Sequence, residues 1–193
     1  MKKSKLQTHL ETLVACEGAK EWSKELTAKV TWEKCSRPDW LLWWAARTTK
    51  NSKQSIVRVA AQCARLSLKY VPEGEDRPRL AIESAEKWAE NPTQENAKAA
   101  ADAARAAAYA AYAADAAAYA ARAAAYAAYA ADAADAYAAD AYAADAYAAD
   151  AARAAAYAAY AADAYAAYAA VTKECCDICR RELVLPWSEE NEI

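Results

Sequence analysis

Glycine occurs twice in 193 residues, at Gly18 and Gly74, and histidine once, at His9. The first scarcity excludes P-loops and GxGxxG turns, which need several glycines so that backbone can wrap phosphates. The second leaves no Ser–His or Cys–His pair to assemble, so nucleophilic catalysis is not expected. Cysteine is present but scattered: Cys16, Cys35, Cys63, Cys175, Cys176 and Cys179 do not read as a disulfide framework. That favours a reduced, cytoplasmic setting. A zinc site needs four ligands, usually as two close pairs. Only Cys175, Cys176 and Cys179 are close, at helical core spacing, so they read as small buried hydrophobes and no metal or cofactor is expected. Uninterrupted apolar runs are lacking too. Asp or Arg breaks the alanine-rich stretch far more often than once in ~18 residues, which argues against a membrane span. Met1–Leu6 is basic with no apolar run behind it, so no secretory leader is expected.

Alanine dominates what is present. Residues 97–170 contain 50 Ala, 12 Tyr, 8 Asp, 3 Arg and Lys98, with no Gly, Pro, Ser or Asn. Alanine loses no side-chain entropy on entering a helix, which makes helix the only serious backbone reading here. One phrase, RAAAYAAYAADA, occurs unchanged from Arg105, Arg122 and Arg153, and DAYAA starts at Asp135, Asp140 and Asp145. A five-residue β-helix is rejected, because only three units keep that period and its inward positions would be Ala or Asp. On a helix Arg105, Tyr109 and Tyr112 fall within about 60° of one another, with Asp115 beside them. Arg122, Tyr126 and Tyr129 repeat the stripe, as do Arg153, Tyr157 and Tyr160. The remaining surface is methyl groups, which let helices approach closely. As one rod the stretch would be about 111 Å long. The copies are offset by 17 and 31 residues, which does not return the stripes to one face. Several packed helices are therefore the expectation, although Asp is the only capping side chain on offer.

The rest of the chain also reads as helix. Lys3–Cys16 has Leu6, Leu10, Leu13 and Val14 on one side, with Gly18 as its stop. Glu21–Val30 places Trp22, Leu26 and Val30 together, and a short turn runs to Pro38. Residues 40–47, WLLWWAAR, form the most hydrophobic run. Asn51 and Ser52 cap a helix over Lys53–Tyr70, Arg77–Glu90 is amphipathic, and Thr93 caps the entry to the repeat. Val171–Leu185 continues as helix until Pro186. The organisation expected is a Trp-rich helical part at 1–96, an Ala/Tyr/Asp helical repeat packed on it at 97–185, and an acidic tail at 186–193. Formal charge is +4 over residues 1–96, −4 over 97–170 and −3 over 171–193. That is not the footprint of a general nucleic-acid binder.

The Asp series advances by about 140° per five-residue step, so it spirals and does not converge on a cation. The Arg–Tyr–Tyr stripes are more informative. Their plain role is structural, with Tyr filling helix interfaces and Arg pairing with Asp or stacking on Tyr. Their functional role takes two forms. Tyr-rich, Ala-spaced surfaces make protein-binding faces, because Tyr brings large area at low entropy cost. Alternatively, Arg105, Arg122 and Arg153 converging with Tyr rings would hold a small anionic nucleotide, and Trp40, Trp43, Trp44 and Arg47 could join that cavity.

RPDWLLW at Arg37–Trp43, VRVAAQCAR at Val57–Arg65, DRPRLAIE at Asp76–Glu83 and the pair Trp88-Ala89 together resemble an all-helical immunity-protein family. That family is encoded near bacterial polymorphic toxins and is also met in phages. The chain departs from its usual pattern in carrying Tyr and Asp where more Trp and Arg would stand. The resemblance implies neutralisation by stoichiometric binding. The expectation is an all-α, non-enzymatic binder of a protein toxin or effector; the alternative is a sponge for a cyclic nucleotide or ADP-ribose derivative. Candidate ligand-binding residues are Arg105, Tyr109, Tyr112, Arg122, Tyr126, Tyr129, Arg153, Tyr157, Tyr160, Arg47 and Trp43. No membrane partner is expected, and self-association is left open.

Overall fold

A computed structural model of the chain describes residues 4–110, 119, 122–130, 141–163 and 165–188. Every regular element among these residues is helical, and the helices pack on one another. Serine and threonine caps set four of the starts. Ser4 accepts from the Gln7 amide at 3.2 Å and opens α1, Lys5–Thr12. Helix α2 is Glu17–Trp22, and α3 is Ala28–Lys34, opened by Thr27, which accepts from the Val30 amide at 3.3 Å. Helix α4, Pro38–Ala46, starts with Pro38 in its first turn, where a missing N–H costs nothing. Ser52 opens α5, Lys53–Arg65; α6 is Arg77–Glu90 and α7 is Gln94–Ala110. Thr93 accepts from the Asn96 amide at 3.2 Å, the cap expected at the repeat entry. Helical residues 122–130 are α8, followed by α9, Ala141–Asp163, and α10, Tyr165–Glu182.

Several boundaries differ from the sequence reading. Lys3–Cys16 is not one helix: α1 ends at Thr12, and Val14 takes φ 59°. Gly18 does not stop that helix but lies inside α2. A side chain on Gly18 would begin 3.5 Å from the Trp40 ring, at ordinary contact distance. Glu21–Val30 is likewise broken. The Ser23 hydroxyl donates back to the Ala19 carbonyl at 2.8 Å, and Thr27 restarts the helix. Both side chains compete for backbone groups, which is why such residues gather at helix ends. Lys53–Tyr70 stops at Arg65, where buried Ser67 donates to the Ala64 carbonyl at 2.6 Å, and a 3-10 turn, Leu68–Tyr70, follows. At the C-terminal end, α10 stops at Glu182, before Pro186. Asn51 holds the chain there, donating to the Val184 carbonyl at 3.0 Å and accepting from its amide at 2.9 Å.

The repeat does not continue as a single rod. Tyr157 and Tyr168 are in ring contact at 6.2 Å although eleven residues separate them. On one continuous helix they would be about 16 Å apart along the axis. The chain therefore reverses between α9 and α10. Tyr119 meets Tyr157 at 5.6 Å while Tyr126 and Tyr129 meet Tyr147 at 6.2 and 5.4 Å, so α8 and α9 also run antiparallel.

Helix α9 is the hub. It packs on α4, α5 and α10, while α6 bridges α5 and α7. From Ala148 to Ala158 every described alanine of α9 is buried, and Ala148, Ala151, Ala152 and Ala155 share one core cluster with Leu41, Leu42, Trp44, Val57 and Val59. Arg180 ties α10 to the end of α3, donating from Nε to the Trp32 carbonyl at 3.0 Å and from a terminal nitrogen to that of Cys35. Cys63, Cys175 and Cys179 are fully buried where α5 meets α10. Hydrogen bonds with the Cys175 and Cys179 thiols, helped by burial, hold the Cys63 thiol well above its ordinary range. No helix among the described residues is long and apolar enough to cross a membrane.

Candidate functional site

Along the described side chains of α9, one stripe reaches the surface. Between residues 147 and 158 the side chains not fully buried are Tyr147, Asp150, Arg153 and Tyr157. They fall on one face at helical spacing. Helix α8 shows the same division: of its nine residues only Arg122, Tyr126 and Tyr129 escape full burial. The decorated and smooth sides expected from the phrase are therefore real. Alanine makes the centre of each interface and the Tyr rings close its edges.

The α9 stripe borders a cleft of about 280 Å³. Trp40 and Trp43 of α4 form its aromatic wall, Val14, Cys16 and Ala19 its rim, and Asp39, Asp150 and Arg153 supply its charge. Val14 is 74% exposed and Trp22, beside Trp40 at 6.3 Å between ring centroids, is 40% exposed. A β-branched residue in the left-handed region is unusual and strained, by about 1–3 kcal/mol. The φ of 59° at Val14 carries the chain from α1 into α2 with this side chain on the rim.

Electrostatics in the cleft are tightly coupled. Asp39 is nearly buried and receives two hydrogen bonds from Arg37, at 2.9 and 2.6 Å. Arg37 also lies over the Trp40 ring at 4.6 Å, and the bond to Asp39 raises the Arg37 pKa. Arg47 lies over the Trp43 ring at 5.2 Å. Asp150 pairs with Arg153 one turn along α9. Burial raises the Asp150 carboxyl above its ordinary value; Arg153 opposes that rise and Asp39 adds to it.

On the far side of the Arg37–Asp39 pair lies a second groove, of about 450 Å³, between the end of α3 and α10. Lys34, Arg37, Lys173 and Arg180 line it, with Glu33, Asp177 and Tyr168. The Thr172 hydroxyl on its wall is buried and without a hydrogen-bond partner. Arg37 thus separates an aromatic cleft holding two carboxylates from a groove in which cations predominate.

Among the described residues, the candidates from the sequence stand on several helices. Trp43 and Arg153 meet in the cleft, with Arg47 against Trp43. Tyr157 lies along the same stripe, 42% exposed. Arg105 is exposed on α7 and pairs with Asp102. Arg122 is exposed on α8 and covers the Tyr119 ring at 5.6 Å. Tyr126 and Tyr129 are half-buried against Tyr147. Tyr112 and the side chains of Tyr109 and Tyr160 lie outside the described residues. Sequence reasoning missed Val14, Asp39 and Asp150 as members of one site. A signal for Asp150 existed: the residue three before each repeated Arg is Asp102, Tyr119 or Asp150, and that residue is each arginine's partner. Nothing local marks Asp39 or Val14; Asp39 joins the cleft through the packing of α4 on α9, and Val14 stands on its rim.

His9 is used structurally. Its Nε2 accepts from the Trp44 indole N–H at 3.2 Å, and its ring stacks on Trp187 at 4.5 Å. Comparison of the chain with family models, with curated proteins and with solved structures gave no match.

Proposed function

We infer that this protein works without catalysis, by stoichiometric binding of a protein partner, as a cytoplasmic immunity-type inhibitor of a toxin or effector. The observation that supports this reading most is the surface around the 280 Å³ cleft, where Val14, Trp22, Trp40, Trp43 and Tyr157 come to the surface beside paired charges. Binding energy at protein interfaces concentrates in a few Trp, Tyr and Arg side chains next to well-packed pockets. Trp40, Trp43 and Tyr157 stand on α4 and α9, which pack on one another and on α5, so little ordering entropy is lost there on docking. The engagement of His9 and the high thiol pKa of Cys63 fit a role without a nucleophile or general base. The resemblance of residues 37–89 to immunity proteins points the same way.

Native mass spectrometry of the full chain from its natural cell background tests this. The expected result is a complex of fixed stoichiometry with one protein, weakened about fivefold or more by Trp43→Ala, the loss of a residue worth over ~1 kcal/mol. A chain carrying a species of a few hundred daltons, with no protein partner, would overturn it.

A second reading, sequestration of a small anionic nucleotide, draws on the other groove. Its 450 Å³ lies within the ~300–1,000 Å³ of small-molecule sites, and Lys34, Lys173 and Arg180 could meet phosphates while Tyr168 stacks a base. Calorimetric titration with a panel of nucleotides decides it, with Lys34→Ala as the control that should lose binding.

A further inference from the structure

We propose that the cleft between α2, α4 and α9 is an arginine socket: it receives the guanidinium of an arginine presented by the protein partner, and Arg153 is the chain's own stand-in for that group. The assignment rests on the partner-binding reading above and names the chemistry by which the partner is recognised. The walls match an arginine along its length. Val14, Ala19 and Ala149 offer apolar surface for the three-methylene stem, and Trp40 and Trp43 offer rings for the planar head. Asp150 offers a carboxylate, a group that guanidinium recognises through hydrogen bonds.

The chain already makes these contacts with its own arginines. Arg37 stacks on Trp40 while bonding both oxygens of Asp39, and Arg47 stacks on Trp43. Arg37 therefore satisfies Asp39, and Asp150 is the carboxylate open to exchange. Its present partner, Arg153, is half exposed on a free surface stripe and bonds it through a single contact within one helix. Such pairs are weak, because solvent screens them and both side chains lose rotamer freedom. An arginine seated between the indoles and Asp150 would release Arg153 to solvent.

The test is a titration of the full chain with acetyl-Gly-Arg-Gly-amide, followed by tryptophan emission, against the same peptide carrying citrulline, which keeps the shape and lacks the charge. The expected result is saturable binding of the arginine peptide in the millimolar range or tighter, at least tenfold weaker for citrulline and for Asp150→Asn. Arg153→Ala should tighten binding, by about two- to fivefold, because it removes the competitor. Circular dichroism checks that both variants fold; each alters the surface stripe of α9, not its buried face. Equal response to both peptides, or weaker binding in Arg153→Ala, would overturn the proposal. Native mass spectrometry separates the two readings. A protein partner retained equally by wild type and Asp150→Asn, with no peptide binding, would sink the socket and leave the binding function standing. Peptide binding with the expected variant pattern, but no protein partner, would do the reverse.

Discussion

The two halves of this molecule reach the same close packing by opposite means. The N-terminal helices bury Leu6, Leu41, Leu42, Ile82 and Trp88, large side chains that interlock. The repeat buries methyl groups: Ala123, Ala124, Ala127, Ala128, Ala151, Ala152 and Ala155 are fully enclosed. In the first half, stability scales with apolar area, at about 25 cal/mol per Å². In the second, little area is buried per residue, and the fold depends on backbones lying close together with rings closing the edges. A core of large side chains is damaged by removing volume, whereas a core of methyl groups is damaged by adding it.

That contrast gives the two largest expected effects. Trp88→Ala should cost about 3–5 kcal/mol of folding stability, since the void left between α6 and its neighbours cannot fully collapse. Ala155→Leu should cost about 1–3 kcal/mol through forced separation of α9 from its neighbours, although leucine is the more hydrophobic residue. Urea denaturation measures both. Were Ala155→Leu stabilising, the repeat would be loosely packed, and the contrast between the halves would fail.

Helical character was readable throughout the chain, because alanine content and heptad-like spacing leave few alternatives. So was the division into a smooth and a decorated side seen on α8 and α9, since it follows from 100° per residue alone. The breaks were less readable. Ser23 and Ser67 end helices by turning their hydroxyls onto nearby carbonyls, and a hydropathy pattern contains no trace of that choice. The site was least readable of all. Arg105, Arg122 and Arg153 share one phrase, yet their partners are set by the residue three positions earlier, and their neighbourhoods by which helix packs on them. The third copy lies on α9, which packs on α4, and its Arg153 borders a cleft. Identical sequence gave three environments because the environment is a property of the neighbours.

A smaller effect concerns polar atoms within the large-side-chain core. The Thr31 hydroxyl is buried without a hydrogen-bond partner, beside a void of about 30 Å³ among Trp40, Trp43 and Trp44. An unmet buried hydroxyl is destabilising, whereas a methyl in its place is not. Thr31→Val should therefore raise stability, by about 1 kcal/mol or less, visible as a higher urea midpoint. A loss of similar size would mean that the void holds an ordered water bonded to that hydroxyl.

The smallest effect, and the one that most sharpens the difference between exposed and enclosed stripes, separates two aspartates on neighbouring helices. Burial raises the Asp150 carboxyl above its ordinary value of 3.8, whereas the hydrogen bond from Lys173 lowers that of Asp177 on solvent-facing α10. The signs follow from linkage. The charge on Asp150 is worse accommodated in the fold than in the unfolded chain. Its cost is fully present above its folded pKa, falls away as pH drops through that value, and is gone below 3.8. The charge on Asp177 stabilises the fold above 3.8, and that stabilisation is lost as pH falls through its lower folded pKa. Asp150→Asn should accordingly gain slightly at pH ~7, by under about 1 kcal/mol, and the gain should vanish near pH ~3. Asp177→Asn should lose slightly at neutral pH, with the loss fading only at still lower pH. Urea midpoints of the two variants, measured against wild type across that range, would show opposite signs. If both variants lost stability at neutral pH, Asp150 would be held by Arg153 as firmly as Asp177 is by Lys173, and the exchange of arginines proposed at the cleft would have no open carboxylate to use.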